Sequence, residues 1–175
     1  MSPLLRELVR AHRNARRPDV RAALAACGLP LGQGPLWGVD FVEVTAHDYQ
    51  PAPGGASAVI VPWFEDGELL DLVACSLATR ACRTRTGLCV ALGGEWLDHA
   101  RQHRMPARLL ADPIEWLRNG RRGCVPIDWR AAAYGLSDLP GIAASSPALA
   151  RRVIDTLSRP LPVPPLFVPE TRHAV

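Results

Sequence analysis

The chain has 175 residues, 48% of them hydrophobic and 21% charged, with a formal net charge of +3. All 20 of its basic Lys-or-Arg positions are arginine. That excludes chemistry needing a side-chain amine: the phosphate-gripping lysine of a Walker loop, a Schiff-base lysine, and a Ser–Lys dyad.

Ser2-Pro3 is a helix-start signal, a hydroxyl cap followed by proline at the first helical position. Leu4, Leu5, Leu8, Val9 and His12 then form one stripe, and Arg6, Arg10, Arg13 and Arg17 a second. Pro18-Asp19 opens another short helix, closed by Gly28. Together they predict an N-terminal helical hairpin, with the dimensions of a helix-turn-helix but no residue marking a recognition helix. Residues 29–40 (LPLGQGPLWGVD) read as loop. Strands are predicted at 41–45, 58–64 and 69–77. Pro62 points to an edge position or a bulge, and Glu65-Asp66-Gly67-Glu68 is a hairpin turn. An Arg/Thr-rich connection at 78–87 leads to a fourth strand at 88–92.

From Gly93 the periodicity turns helical. One helix is expected at 95–104. A second starts at Asp112-Pro113-Ile114-Glu115, a cap, a proline and a carboxylate reaching back, and stops at Gly120. A short strand at 124–129, a turn of helix at 130–134 and a helix from Ser146-Pro147 to residue 157 follow. The tail 159–169 (RPLPVPPLFVP) reads as polyproline-like. The expected class is α+β, with a three- to four-stranded antiparallel meander between the hairpin and C-terminal helices packed on one face. At this length one domain is expected, assigned to 1–158, with a proline-rich tail at 159–175.

Charge is unevenly placed: +4 over residues 1–30, −7 over 31–77, +5 over 78–130 and +1 over 131–175. Either these blocks neutralise one another in the fold, or a basic block faces an anionic partner. No apolar run approaches the ~18 residues of a membrane-spanning helix, and no membrane partner is expected. The N-terminus lacks the apolar stretch of a secretory signal. The five cysteines, Cys27, Cys75, Cys82, Cys89 and Cys124, read as reduced thiols in a cytoplasm.

Several groups of residues could carry chemistry. Cys82 and Cys89 with His99 and His103, the latter at i, i+4 on a predicted helix, form the best zinc-ligand set. Their C-x6-C-x9-H-x3-H spacing departs from the short C-x2–4-C knuckle, and thiols among Leu, Val and Ala ordinarily act as small core hydrophobes. Glu65, Asp66, Glu68 and Asp71 could hold magnesium for a metal-dependent hydrolase, although the hairpin turn already accounts for three of them. There is no G-x-S-x-G, C-x-x-C or H-E-x-x-H motif. Gly32, Gly34 and Gly38 lack dinucleotide-fingerprint spacing. Cys124, after Arg121 and Arg122, is a lone thiol.

The arginine groups are the strongest functional feature. Arg80, Arg83 and Arg85 share one connection with Thr84 and Thr86, and Arg118, Arg121 and Arg122 cluster at a helix end. Guanidinium groups flanked by hydroxyls and free backbone N–H groups suit phosphate contacts. Competing with this is plain surface solvation, reinforced by the attraction of cations to helix C-termini, and a third reading is an acidic protein surface as partner. The tail matches the Arg-x-x-Pro-x-x-Pro form, and residues 159–169 could alternatively strap the domain or grip another subunit in a homo-oligomer.

The run VIVPWFEDGELLDLVA (59–74), GLCVALGGEWL (87–97) and DPIEWLRNGRRGCVPIDW (112–129) resembles small uncharacterised proteins of bacterial prophages and mobile elements. The resemblance rests on apolar, Gly, Trp and Arg positions over residues 58–130 and carries over no active site. It implies a bacterial cytoplasm. The expected function is a small non-enzymatic binding protein contacting nucleic acid or a nucleoprotein partner. The alternatives are a structural or assembly protein using its tail, or the hydrolase.

Overall fold

The computed structural model describes residues 1–29 and 37–159. Most of the loop expected at 29–40 and all but the first residue of the tail lie outside the described residues. The architecture is mixed α+β: six helices and a curled antiparallel five-stranded sheet among the described residues. No helix there is long and apolar enough to cross a membrane.

The sheet is built from β1 (Gly38–Val44), β2 (Tyr49–Pro51), β3 (Ala56–Glu65), β4 (Glu68–Ser76) and β5 (Cys82–Thr84), in spatial order β2-β1-β3-β4-β5. This departs from a simple meander, because β2 folds back outside β1 and the chain then crosses to place β3 on β1's other side. The β3–β4 hairpin closes on Asp66 and Gly67, both at positive φ (50° and 81°). That is the backbone a two-residue turn needs to match strand twist, and the Asp-Gly pair supplies it at low cost. Pro62 lies in a central strand, but β1 pairs β3 only as far as Ile60. Its missing N–H therefore interrupts no bond to β1. The β3–β4 register then shifts between Trp63 and Phe64, leaving Leu70 outside the pairing.

The sheet is buried on both faces, so its central strands are continuously apolar instead of alternating. One face carries Val59, Val61, Val73 and Cys75 into the largest core. The other carries Ala58, Ile60, Leu72 and Ala74 against Leu8 and Ala11 of α1 (Pro3–Asn14). α1 approaches β1 so closely that a Cβ at Gly38 would stand 2.4 Å from the Ala11 carbonyl carbon. The helix sits rotated from the apolar stripe expected from its leucines. Glu7, Leu8 and Ala11 are the buried positions and Leu4 packs beside them, while Leu5 is exposed. The rotation is tolerated because Glu7 finds a phenol and a guanidinium as partners inside. Arg10, on the outer flank, donates to Asp40 from Nε (2.8 Å) and Nη2 (2.6 Å). This pair joins the N-terminal basic block to the acidic block, and Asp40's bond and charge raise the Arg10 pKa above its ordinary value.

α2 (Pro18–Ala26) contributes Val20 and Leu24 to the largest core. The C-terminal half is a run of short elements, some packed around Leu97, Leu109, Leu136, Leu149 and Val153, others sending Leu92, Ile114, Trp116, Leu117 and Val125 into the largest core. These are β6 (Ala91–Leu92), α3 (Glu95–His103), β7 (Ala107–Leu109), α4 (Pro113–Arg118), β8 (Val125–Pro126), α5 (Trp129–Leu136), β9 (Ile142–Ala144) and α6 (Pro147–Leu157). β6 pairs with β8, and β7 pairs in parallel with β9. Local signals set the helix starts. Asp112 accepts from the Glu115 N–H (2.8 Å), Glu115 reaches back to the Ala111 N–H (2.7 Å), and Ser146 caps α6 through the Leu149 N–H (3.2 Å). The strand expected at 88–92 is only the two residues of β6. The strand that completes the sheet, β5, lies instead within the expected Arg/Thr connection.

Candidate functional site

β5 and the loop after it are fixed by one carboxylate. Asp71 is fully buried. Its Oδ1 accepts from the backbone N–H groups of Leu72 (2.8 Å), Arg85 (3.0 Å) and Thr86 (2.9 Å), and its Oδ2 from those of Leu88 (2.9 Å) and Cys89 (2.8 Å). Five amide dipoles replace the water a buried carboxylate loses. Next to it, Glu7 accepts from the Tyr49 hydroxyl (2.6 Å) and from Arg85 Nε (3.2 Å). Burial, then the Glu7 charge, pushes the Tyr49 phenol pKa well above its ordinary value. α1, β2, β4 and the 85–89 loop are thereby tied together through charge-assisted bonds.

The same segment forms one wall of an open cleft of about 500 Å³, lined by His47, Arg83, Thr84, Trp129, Arg130 and Arg152 among others, with Cys82 and Cys89 also contributing. β5 supplies Arg83, the start of α5 supplies Trp129 and Arg130, and α6 supplies Arg152. The Arg152 guanidinium lies 4.3 Å over the Trp129 ring. Burial lowers its pKa from the usual value, with the Cys82 thiol acting in the opposite direction. Arg83 donates from Nη1 to the Cys82 carbonyl (2.8 Å), while its buried Nε has no hydrogen-bond partner among the described residues. None of the three arginines forms an ion pair with a described residue. The one carboxylate among the described residues lining the cleft, Asp128, accepts from the Arg130 and Ala131 N–H groups as the cap of α5. Guanidinium donors without a carboxylate partner, one of them partly desolvated, are arranged to receive an anion.

The six arginines singled out in the sequence go to different places. Arg80 sits 3.9 Å from Asp112, and Arg85 pairs with Glu7 at 3.2 Å, so only Arg83 of the first group faces the cleft. Arg118, Arg121 and Arg122 are exposed. Arg118 lies beside Gly28 at the end of α2, Arg121 lies 5.5 Å over the Trp116 ring, and Arg122 lines a second cavity of about 420 Å³ with Trp96, His99, Met105 and Arg108. Arg130 and Arg152 belong to no such sequence cluster, because each stands alone or in a doublet on a different helix. The Trp129-Arg130 pair directly after a capping Asp128 is the one local hint of them.

The zinc ligands expected from the sequence are not brought together. Among the described residues no three His, Cys, Asp or Glu side chains gather at one point. Cys82 and Cys89 line the first cleft, whereas His99 lines the second cavity and lies against His103, ring centroids 4.3 Å apart and planes tilted by 51°. The magnesium carboxylates also diverge: Glu65, Asp66 and Glu68 are exposed at the hairpin, while Asp71 is consumed by backbone donors. Cys124 is fully buried, and its surroundings push its pKa up to about 12, the reverse of an activated thiol. No family model, no curated protein and no solved structure matches the chain.

Proposed function

We propose that this chain is a small non-enzymatic binding protein that contacts the phosphates of a nucleic acid through the cleft of Arg83, Arg130 and Arg152. One contrast carries the reading. The arginines Arg10, Arg17, Arg80, Arg85 and Arg101 pair with carboxylates, whereas the three that converge on the cleft form no ion pair with a described residue. Water rarely compensates fully for a guanidinium held partly desolvated, but a phosphate oxygen does. The exposed Arg118, Arg121 and Arg122 supply further contacts along the backbone. The resemblance to mobile-element proteins favours a partner in a bacterial cytoplasm.

The test is binding of a mixed-sequence oligonucleotide, single- and double-stranded, across a range of salt concentrations. Affinity should fall linearly on a log–log plot. Arg83→Gln combined with Arg152→Gln should flatten that slope by about 0.7–0.9 for each phosphate no longer neutralised. Absence of binding at low ionic strength, or a slope indifferent to both substitutions, would sink the reading.

A further inference from the structure

We propose that Cys75 and Cys82 are a reversible disulfide-forming pair, oxidised by hydrogen peroxide across the β4–β5 ladder. The two residues are directly opposite in the antiparallel register. Backbone bonds run from the Ser76 N–H to the Ala81 carbonyl (2.9 Å) and from the Arg85 N–H to the Leu72 carbonyl (2.8 Å). Alternation between them puts Cys75 and Cys82 at a non-hydrogen-bonded position, where Cα atoms lie about 4.5 Å apart. That is the short end of the roughly 4.4–6.8 Å a disulfide spans. Both side chains project to one face, because both thiols approach the same acceptor, the Arg80 carbonyl, at 3.8 Å for Cys75 and 3.4 Å for Cys82. A separation within that span lets the bond close without moving the backbone.

The two sulfurs have unequal roles. Cys82 is half-buried and lines the cleft, within the field of Arg152. Cys75 is fully buried, and its neighbour Cys82 first, burial second, hold it protonated. Cys82 is thus the thiol that meets the oxidant. Its sulfur attacks one peroxide oxygen, the O–O bond breaks, and water leaves behind a sulfenic acid. The Cys75 sulfur then attacks the Cys82 sulfur. The S–S bond forms as the S–O bond breaks, and the departing hydroxide takes the Cys75 proton as a second water. Two thiols and one peroxide give one disulfide and two waters. The chemistry needs no ligand in the cleft, so it stands or falls apart from the phosphate reading.

The experiment exposes reduced, folded protein to hydrogen peroxide, blocks the remaining thiols by alkylation and maps the products by mass spectrometry. Trypsin cuts after arginine, so it frees the tripeptide 81–83 with Cys82 as its one thiol. Its partner, peptide 22–80, holds Cys75 and Cys27, so the mapping uses a Cys27→Ser background. The expected result is the 81–83 peptide joined to 22–80, with the intact chain lighter by two hydrogens, and both effects reversed by dithiothreitol. Cys82→Ser, at the half-buried position, should abolish the cross-link and leave Cys75 alkylatable only after unfolding. Three results would overturn the proposal: Cys82 joined to Cys89, Cys82 joined to a second chain, or Cys82 driven to the sulfinic acid while Cys75 stays a free thiol.

Discussion

Around Asp71 each charge meets its complement, whereas the guanidinium groups lining the cleft of Arg83 form no ion pair with a described carboxylate. The two regions are a few residues apart on one strand and its following loop. Asp71 takes five backbone donors, and Glu7 takes a phenol and a guanidinium. Arg83, by contrast, keeps a buried Nε without a described partner, and Arg152, largely exposed, lies over an indole that partly desolvates it. Both regions are polar and partly dry, so polarity alone does not separate structure from function. Completeness of the partner set does: a closed set stabilises the fold, and an open one is arranged for something the described residues do not supply.

The largest effect that could break this comparison belongs to the closed side. Asp71→Ala takes the carboxylate from the N–H groups of Leu72, Thr86, Leu88 and Cys89, while that of Arg85 keeps the Leu72 carbonyl, at a cost of about 4 kcal/mol. Asp71→Asn should cost nearly as much. An amide oxygen can satisfy the donors at Oδ1 or those at Oδ2, and its NH2 then faces the other set. Chemical denaturation of both variants measures this. A cost below about 1 kcal/mol for either would mean the loop amides find water instead, and the hub would not be closed.

A smaller effect tests whether the interior resists acquiring new charge. The thiols of Cys75, Cys89 and Cys124 all have raised pKa values, that of Cys124 reaching about 12 and that of Cys89 raised by burial first and the Asp71 charge second. A raised value in the fold means the neutral form is favoured there. The associated stability is therefore complete below the unfolded thiol value of about 9 and is lost as pH rises beyond it. At pH 10 each of these thiols should cost about 1.4 kcal/mol, because the unfolded chain ionises and the folded one does not. Replacing Cys124 with Ala should make the alkaline decline shallower by one such increment. An unchanged decline would show that Cys124 ionises in place.

How far these regions are legible in the sequence follows from the range of the interactions that make them. The caps at Ser2, Asp112 and Ser146 and the Asp66-Gly67 turn are set by residues within a turn of one another, and their residue types announce them. Strand alternation turns Asp71 outward on paper, because alternation is a local rule. The donors that bury it come from residues 14 to 18 positions downstream, and no local pattern encodes them. β5 is hidden for a related reason: three residues of an Arg/Thr-rich run become a strand only because β4 offers an edge. The cleft depends on residues 83, 130 and 152, which only the tertiary fold assembles. Glu7 shows the same limit on α1, where the hydrophobic stripe puts Leu5 inside and the carboxylate outside.

The smallest stability effect is the sharpest test of the open side. If Arg83 is a structural residue, Arg83→Met should destabilise the chain as other core truncations do. If its guanidinium waits for an external anion, the unliganded protein carries a buried donor with no acceptor, and removing that donor relieves a cost. Methionine keeps the length and the apolar stem while discarding the polar head. It forfeits the bond to the Cys82 carbonyl, worth about 1 kcal/mol, and recovers a desolvation cost of about 1–3 kcal/mol. The balance lies between neutral and about 2 kcal/mol stabilising. Thermal melting should therefore show an unchanged or raised midpoint for Arg83→Met, while the same variant loses salt-dependent oligonucleotide binding. Stability gained where binding is given up is the expected signature of a side chain held ready for a ligand. A loss of more than about 1 kcal/mol would place Arg83 with Asp71, in the closed half of the molecule.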